Sequence, residues 1–331
     1  MAEAPDALHG WIVIDKPLGM GSTNVVSWVK RALREGGYAK VKVGHGGTLD
    51  PLATGILPVA LGEATKLAGR MLDASKVYDF TITFGTQTDS LDLEGAVIAQ
   101  SDIRPTLAAV DAVLPKFTGP ITQIPPAFSA LKVDGKRAYD LARAGEDVVL
   151  AGRDVVIHGL QIHEPLPFRG GVWGGEVGTP SQAGSPHPNP SPEGEGLVES
   201  ITLTAHVSKG TYIRSLARDI ALELGTVGHV TMLRRIKAGP FGLDGAISLD
   251  KLDENAKART LGDLVLPLRT ALDDIPALAL EAGQAAALRQ GRVLSGVAAP
   301  NGLHLATLAE VPVALVDVQQ GTVTVERGFN L

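Results

Sequence analysis

The chain has 331 residues, 44% of them hydrophobic and 20% charged, with 39 glycines, 21 prolines and no cysteine. This is the composition of an ordinary globular protein long enough for two domains, and it excludes a globally disordered or fibrous chain; the lack of cysteine excludes disulfide frameworks, thiolate metal sites and cysteine nucleophiles. The formal net charge of −6 carries no overall bias toward a polyanionic partner, and the sequence has neither a basic, apolar leader nor an apolar run of the roughly 20 residues that span a bilayer, so a cytoplasmic protein with no membrane partner is expected.

In chain order, Trp11 to Asp15 reads as a short buried strand ended by Lys16, Pro17 and Gly19. Ser22 is placed to cap a helix that carries Val25, Val26, Val29 and Leu33 at helical spacing, and Gly36 with Gly37 stops it. Residues 44–55, GHGGTLDPLATG, form the densest irregular segment, followed by the apolar run 56–61 and a helix over 64–72. Tyr78, Phe80, Ile82 and Phe84 fall on alternate positions of a strand. A helix near 136–144 and a strand near 154–163 lead to residues 170–195, whose Gly, Pro and Ser content predicts a flexible insertion. The strand 201–207 resumes the fold, and a helix from about Thr211 carries Ile213, Leu216, Ile220 and Leu224 on one face. After Pro240 the sequence predicts a polar link over 252–259 and then short strand-like runs to Leu331.

The irregular segment 44–55 is the one best suited to chemistry, since Asp50 sits in a loop with three preceding glycines, a following proline and a nearby His45. Local chemistry leaves two readings open: a carboxylate presented for reaction, or a tight turn in which Asp50 caps backbone N–H groups. The segment lacks the GK[ST] ending of a phosphate-binding loop, and no cluster has metal-ligand spacing. Between Ala205 and Pro240, Lys209, Arg214, Arg218, Arg234, Arg235 and Lys237 face only Asp219 and Glu223, a local net of +4 that predicts a basic patch.

Five ordered segments, WIVIDKPLGMGS, GHGGTLDPLATGILPVALGEATK, KVYDFTITFGTQTDSLD, IPPAFSALKVDGKRAYDLARAG and SKGTYIRSLARDIALELGTVGHVTMLRR, resemble the tRNA pseudouridine-55 synthases of the TruB family across roughly residues 10–241. The departures are Gly46, where the family usually has threonine, which would loosen the loop, and a longer connection over 170–195.

The resemblance implies a mixed α/β (α+β) fold: a catalytic domain over 1–250 with a mixed, largely antiparallel sheet, then a linker and a small β-rich, PUA-like RNA-binding domain over 251–331. It implies isomerisation of uridine-55 in the T loop of tRNA, with no cofactor and no obligatory protein partner. Asp50 corresponds to the catalytic carboxylate, Arg214 to a cation that keeps it ionised, and Tyr78 to the aromatic that stacks on the target base. Tyr212 and Leu233 correspond to further pocket positions, His45 to a residue contacting the reorganised loop, and Lys16 to a lysine that holds the catalytic loop. The alternative reading is a tRNA-folding chaperone that binds without chemistry. Because the 170–195 composition cannot bury enough apolar area to order itself, deletion of Gly174 to Gly194 is expected to leave single-turnover isomerisation unchanged.

Overall fold

The computed structural model describes residues 7–129, 131–133, 135–144, 150–163 and 196–331. Two compact units emerge, one formed by Met1–Tyr78 with Leu233–Leu331 and the other by Asp79–Met232. The stretch 170–195, expected to be a flexible insertion, lies outside the described residues.

The first unit opens with β1 (Gly10–Lys16), α1 (Ser22–Glu35), β2 (Val43–His45) and β3 (Ala53–Leu61), followed by α2 (Ala68–Asp73) and β4 (Lys76–Phe84). β1 pairs antiparallel with β3 from Gly10 opposite Leu61 to Lys16 opposite Gly55. Its other edge is also occupied: Trp11 exchanges two backbone hydrogen bonds with Leu266, and the Ile247 peptide bonds to Val13 and Asp15. Both faces are covered as well. Trp11 and Val13 belong to an apolar cluster with Ile56, Met71 and Phe241, whereas Ile12 and Ile14 belong to another with the α1 row Val25, Val29 and Leu33. This is why a strand of this sheet reads as a continuous apolar run rather than an alternating one.

Two local expectations are corrected here. Ser22 does not cap α1: the N-cap is Gly21, which makes no side-chain bond, and Ser22 is the first helical residue with its hydroxyl committed elsewhere. The region expected to be a polar link is a helix, Leu249–Ala258, capped by the Ser248 side chain accepting from the Lys251 amide. Leu249, Leu252 and Ala256 are spaced to bury one narrow face in the α1 cluster, and Trp28 Nε1 donates to Asp253 at 2.8 Å. Three buried apolar residues in ten are too sparse to stand out from a charged background, yet they suffice once α1 provides the opposing face.

In the second unit come β5 (Thr86–Thr88), β6 (Val97–Gln100), α3 (Leu107–Val113), β7 (Gly119–Gln123), β8 (Lys132–Val133), β9 (Lys136–Arg137), α4 (Ala138–Arg143), β10 (Arg153–Ile162), β11 (Ser200–Val207) and α5 (Ile213–Glu223). Its sheet runs in the order β4-β11-β10-β7, with a bulge in β10 between Ile157 and Gly159. The chain returns to the first unit within β12 (Gly228–Ala238), whose residues Leu233, Arg234 and Arg235 run parallel to Ala53, Thr54 and Gly55 of β3.

After β13 (Phe241–Gly242) and α6, the helix just described, the C-terminal region builds β14 (Ala277–Ala279), α7 (Ala282–Arg289), β15 (Gly302–Leu308), β16 (Val311–Gln319) and β17 (Thr322–Gly328) into a four-stranded sheet in chain order. Ala285 and Leu288 of α7 pack on Ala306, Val316 and Val323. The fold is therefore mixed α+β, with a largely antiparallel sheet and a β-rich C-terminal region, as expected.

Candidate active site

The loop that carries Asp50 has every one of five successive carbonyls engaged. Gly47 O and Thr48 O accept from the Arg235 guanidinium at 3.2 and 3.3 Å, and Leu49 O accepts from Ser22 Oγ at 3.0 Å. Asp50 O accepts from the Ala53 amide at 3.0 Å, closing a turn, and Pro51 O accepts from both Lys16 Nζ and the Gly19 amide. Ser22 holds Leu49 from both sides, since the Leu49 amide donates back to Ser22 Oγ at 2.8 Å. A loop so tied has little freedom left, and its half-buried Asp50 side chain is carried on a defined backbone.

Lys16 is fully buried, and its ammonium donates to the carbonyls of Pro17, Met20 and Pro51 at 3.0, 2.6 and 3.2 Å. Burial pushes its pKa down from 10.5 to about 8; the nearby Asp50 carboxylate works against that shift and the Arg235 cation adds to it. His45, at the end of β2, accepts from the Gly47 amide at 3.4 Å, and burial together with Arg235 lowers its pKa, so at neutral pH it is an uncharged imidazole. Leu233 stands in register with Ala53, where the loop enters β3, and its carbonyl accepts from Thr54 Oγ1. Tyr78 lies on the same side of β4 as Phe80, Ile82 and Phe84, but those three are buried and Tyr78 is half-open, at the end of the row. Lys16, His45, Asp50 and Leu233 thus gather at one loop of the first unit, with Tyr78 at the end of its last residue run.

Gly46 does not loosen the loop. A Cβ at this position would stand 2.7 Å from Met71 Cβ and 3.2 Å from Met71 Cγ, so the methionine side chain of α2 fills the space a threonine would need. The glycine is required by packing here rather than by backbone freedom.

On the second unit, Gln123 clamps Tyr212 at the start of α5: the Tyr212 amide donates to Gln123 Oε1 at 3.1 Å, and Gln123 Nε2 reaches the Tyr212 carbonyl. Two residues on, Arg214 is buried, donating to Ser90 O at 2.8 Å and Phe128 O at 3.0 Å, with Asp92 Oδ2 at 3.3 Å. Asp92 is fixed in turn by the Ser90 hydroxyl and the Glu94 amide, and the intervening Leu91 adopts φ 63°, an uncommon conformation for a branched side chain. Arg218 turns away from Arg214 to Asp219 and Ile124 O, so the repulsion between them is relieved by divergence.

Of the six cations in the basic patch expected over 205–240, Lys209 and Lys237 are exposed and the four arginines are buried or paired. Arg235 and Arg214 are buried, Arg234 forms a two-bond pair with Asp15 at 3.0 and 2.7 Å, and Arg218 pairs with Asp219. The neutralising carboxylates Asp15 and Asp92 lie far outside the window in sequence, where a local charge count cannot see them. Sequence reasoning also missed Ser22, Asp92 and Arg235 as site-building residues. No local signal separates Arg235 from Arg234, because its partner Gly55 is set by the long-range β12–β3 register.

No described helix is long and apolar enough to cross a membrane, and no group of three or more His, Asp or Glu among the described residues could hold a metal ion.

Chains of similar fold include one from an H/ACA RNP bound to a substrate RNA containing 2'-deoxyuridine (TM-score 0.67, 23% identity, 98% of this chain and 86% of that one) and one from a Cbf5-Nop10-Gar1 complex (TM-score 0.66, 24% identity, 97% and 85%). Residues 33–167 match the model for the TruB family pseudouridylate synthase N-terminal domain, and residues 214–273 match that for the tRNA pseudouridylate synthase B C-terminal domain. The molecule is a pseudouridine synthase, and hence an isomerase. Among its relatives, the tRNA pseudouridine synthase B of Novosphingobium aromaticivorans is 59% identical over 324 residues, 98% of both chains, and that of Zymomonas mobilis subsp. mobilis is 54% identical over 325 residues, 98% of this chain and 97% of the relative. The chain belongs to the TruB family.

Two outcomes are expected from this geometry. Gly46→Thr should destabilise the protein by about 1–3 kcal/mol through overpacking against Met71, read as a lower denaturant midpoint at unchanged slope. Lys16 should titrate near 8 in lysine side-chain NMR while exposed lysines titrate near about 10.4. Because its folded pKa lies below the unfolded one, the unfolded chain binds the extra proton between these values, so the Lys16 contribution to stability rises as pH rises from about 8 to about 10.5.

Proposed function

We propose that this protein converts uridine-55 in the T loop of tRNA to pseudouridine, with Asp50 as the catalytic carboxylate, acting in the cytoplasm without a cofactor or an obligatory protein partner. The reaction breaks the N1–C1′ bond of the nucleoside, joins C1′ to C5 of the same uracil, and exchanges the C5 proton for one at N1, so atoms balance within the nucleotide. A carboxylate serves it by adding to the sugar or to the base, or by removing a ribose proton, and each of these needs the ionised form. The observation that carries the reading is the Asp50 loop itself, whose five successive carbonyls are all tied and beside which the buried Lys16 ammonium feels the Asp50 carboxylate. The tRNA substrate is supported by the names of relatives that are 54–59% identical over nearly the whole chain.

Under this proposal Tyr78 stacks on the flipped uracil, a contact worth about 1–3 kcal/mol in single-strand recognition. Its half-open place at the end of a buried row supports that role. Leu233, His45, Tyr212 and Arg214 are assigned to substrate binding and Lys16 to holding the loop. The residues after 250, with their four-stranded sheet, are assigned to a PUA-like domain that helps grip the RNA.

Asp50→Asn keeps the shape and one acceptor but is neither a nucleophile nor a base. Its single-turnover rate on unmodified tRNA transcript, with pseudouridine mapped by carbodiimide primer extension, is expected to fall by several orders of magnitude while tRNA affinity stays within about twofold. A well-folded Asp50→Asn protein that still isomerises position 55 would sink the catalytic assignment, and modification at another position would sink the substrate site. The chaperone reading predicts that tRNA binding and refolding survive the substitution.

A further inference from the structure

We propose that Arg235 is a positioning residue for the isomerisation, holding the Asp50 loop in its reactive geometry through the carbonyls of Gly47, Thr48 and Ile56. The inference rests on the reading of Asp50 as the catalytic carboxylate. Arg235 is 1% exposed, among the largest fully buried side chains of the protein. Among the described residues its hydrogen bonds all go to main-chain carbonyls: Nε to Ile56 O at 2.7 Å, Nη1 to Thr48 O at 3.3 Å and Nη2 to Gly47 O at 3.2 Å. Burying a guanidinium against neutral acceptors is costly, and an apolar side chain would fill the same volume more cheaply, so packing does not account for it. What the guanidinium supplies is a rigid planar fork that reaches three acceptors at once. Those acceptors flank Asp50, two of them two and three residues before it and one six residues after. Arg235 therefore fixes the spacing between the segment that enters the Asp50 turn and the strand that leaves it.

A second observation supports the same role independently. Opposite Arg235 in the parallel β12–β3 register stands Gly55, at φ +97°, where a Cβ would lie 2.2 Å from Arg235 O. The backbone of β12 is thus pressed onto the exit of the loop at this one residue, and only glycine permits the approach. Arg235 grips the loop with its main chain on one side and its side chain on the other. Its charge is also felt there, since it lowers the pKa of both His45 and Lys16. Displacing a reacting group by about 1 Å can cost about 100-fold in rate, which sets the scale of what such a grip protects.

The test compares Arg235→Lys, Arg235→Gln and Asp50→Asn in the full-length protein. Single-turnover rate on unmodified tRNA transcript, tRNA affinity by filter binding, thermal unfolding and the Lys16 NMR titration are measured for each, at temperatures below each unfolding midpoint. Positioning predicts folded Arg235 variants whose tRNA affinity stays within about twofold of wild type. Their rates should fall about 10- to 100-fold, with Arg235→Lys retaining more than Arg235→Gln because it can still reach one carbonyl. The Lys16 titration midpoint should rise in Arg235→Gln, as the cation that depresses it is gone. A wild-type rate in the folded variants, a rate loss that merely tracks the unfolded fraction, or failure of both variants to fold assigns Arg235 to the core alone and overturns the proposal. The Asp50→Asn arm keeps the two readings apart: an inactive Asp50→Asn beside fully active Arg235 variants refutes the positioning role only, and an active Asp50→Asn refutes the catalytic reading on which it rests.

Discussion

The carbonyls of the partly buried loop from Gly47 to Pro51 find donors in five different parts of the chain: β1 through Lys16, the turn after it through the Gly19 amide, α1 through Ser22, β12 through Arg235, and its own turn through Ala53. That demand organises much of the first unit. β1 and β3 bring Lys16 alongside the loop, α1 begins where Ser22 can reach Leu49, and β12 runs parallel to β3 so that Arg235 meets Gly55.

Electrostatics follow the same layout. Two cations, Lys16 and Arg235, are buried behind the loop; burial itself is the main cause of the depressed pKa of Lys16, and repulsion by Arg235 adds to it. The second unit uses a different solution for its own buried cation, pairing Arg214 with Asp92 and tying both to the Ser90–Glu94 turn. Backbone acceptors fix position in one case; a carboxylate neutralises charge in the other.

Much of the fold was legible in the sequence where a strand or helix carried a full apolar pattern. β1, α1, β4, β11 and α5 stand where their patterns put them, because each buries enough side chains to declare its period, whereas β3 begins at Ala53, inside the segment expected to be irregular. α6 did not, since its short apolar face acquires meaning only against α1, two hundred residues away. Of the site, the loop and its aspartate were legible from glycine and proline content and from the family resemblance. Its supports were not: Ser22 looked like a cap, and Arg235 and Arg234 looked like surface charge, because partner identity is set by long-range register that no local window contains. Gly46 was read as a loosening of the loop for the same reason, its complement Met71 being a packing neighbour rather than a sequence neighbour.

The outer edge of β1 is completed by Leu266 and Ile247, which leave the ribosome more than two hundred residues after Trp11. A nascent chain therefore carries this apolar strand with one row of amides and carbonyls unpaired while the whole intervening unit, Asp79–Met232, is synthesised. Long-range closure of this kind is slow, and it leaves a pairing edge open in the meantime. The strand that supplies Lys16 is thus among the first parts made, and its outer edge is paired only once residues 247 and 266 have been synthesised.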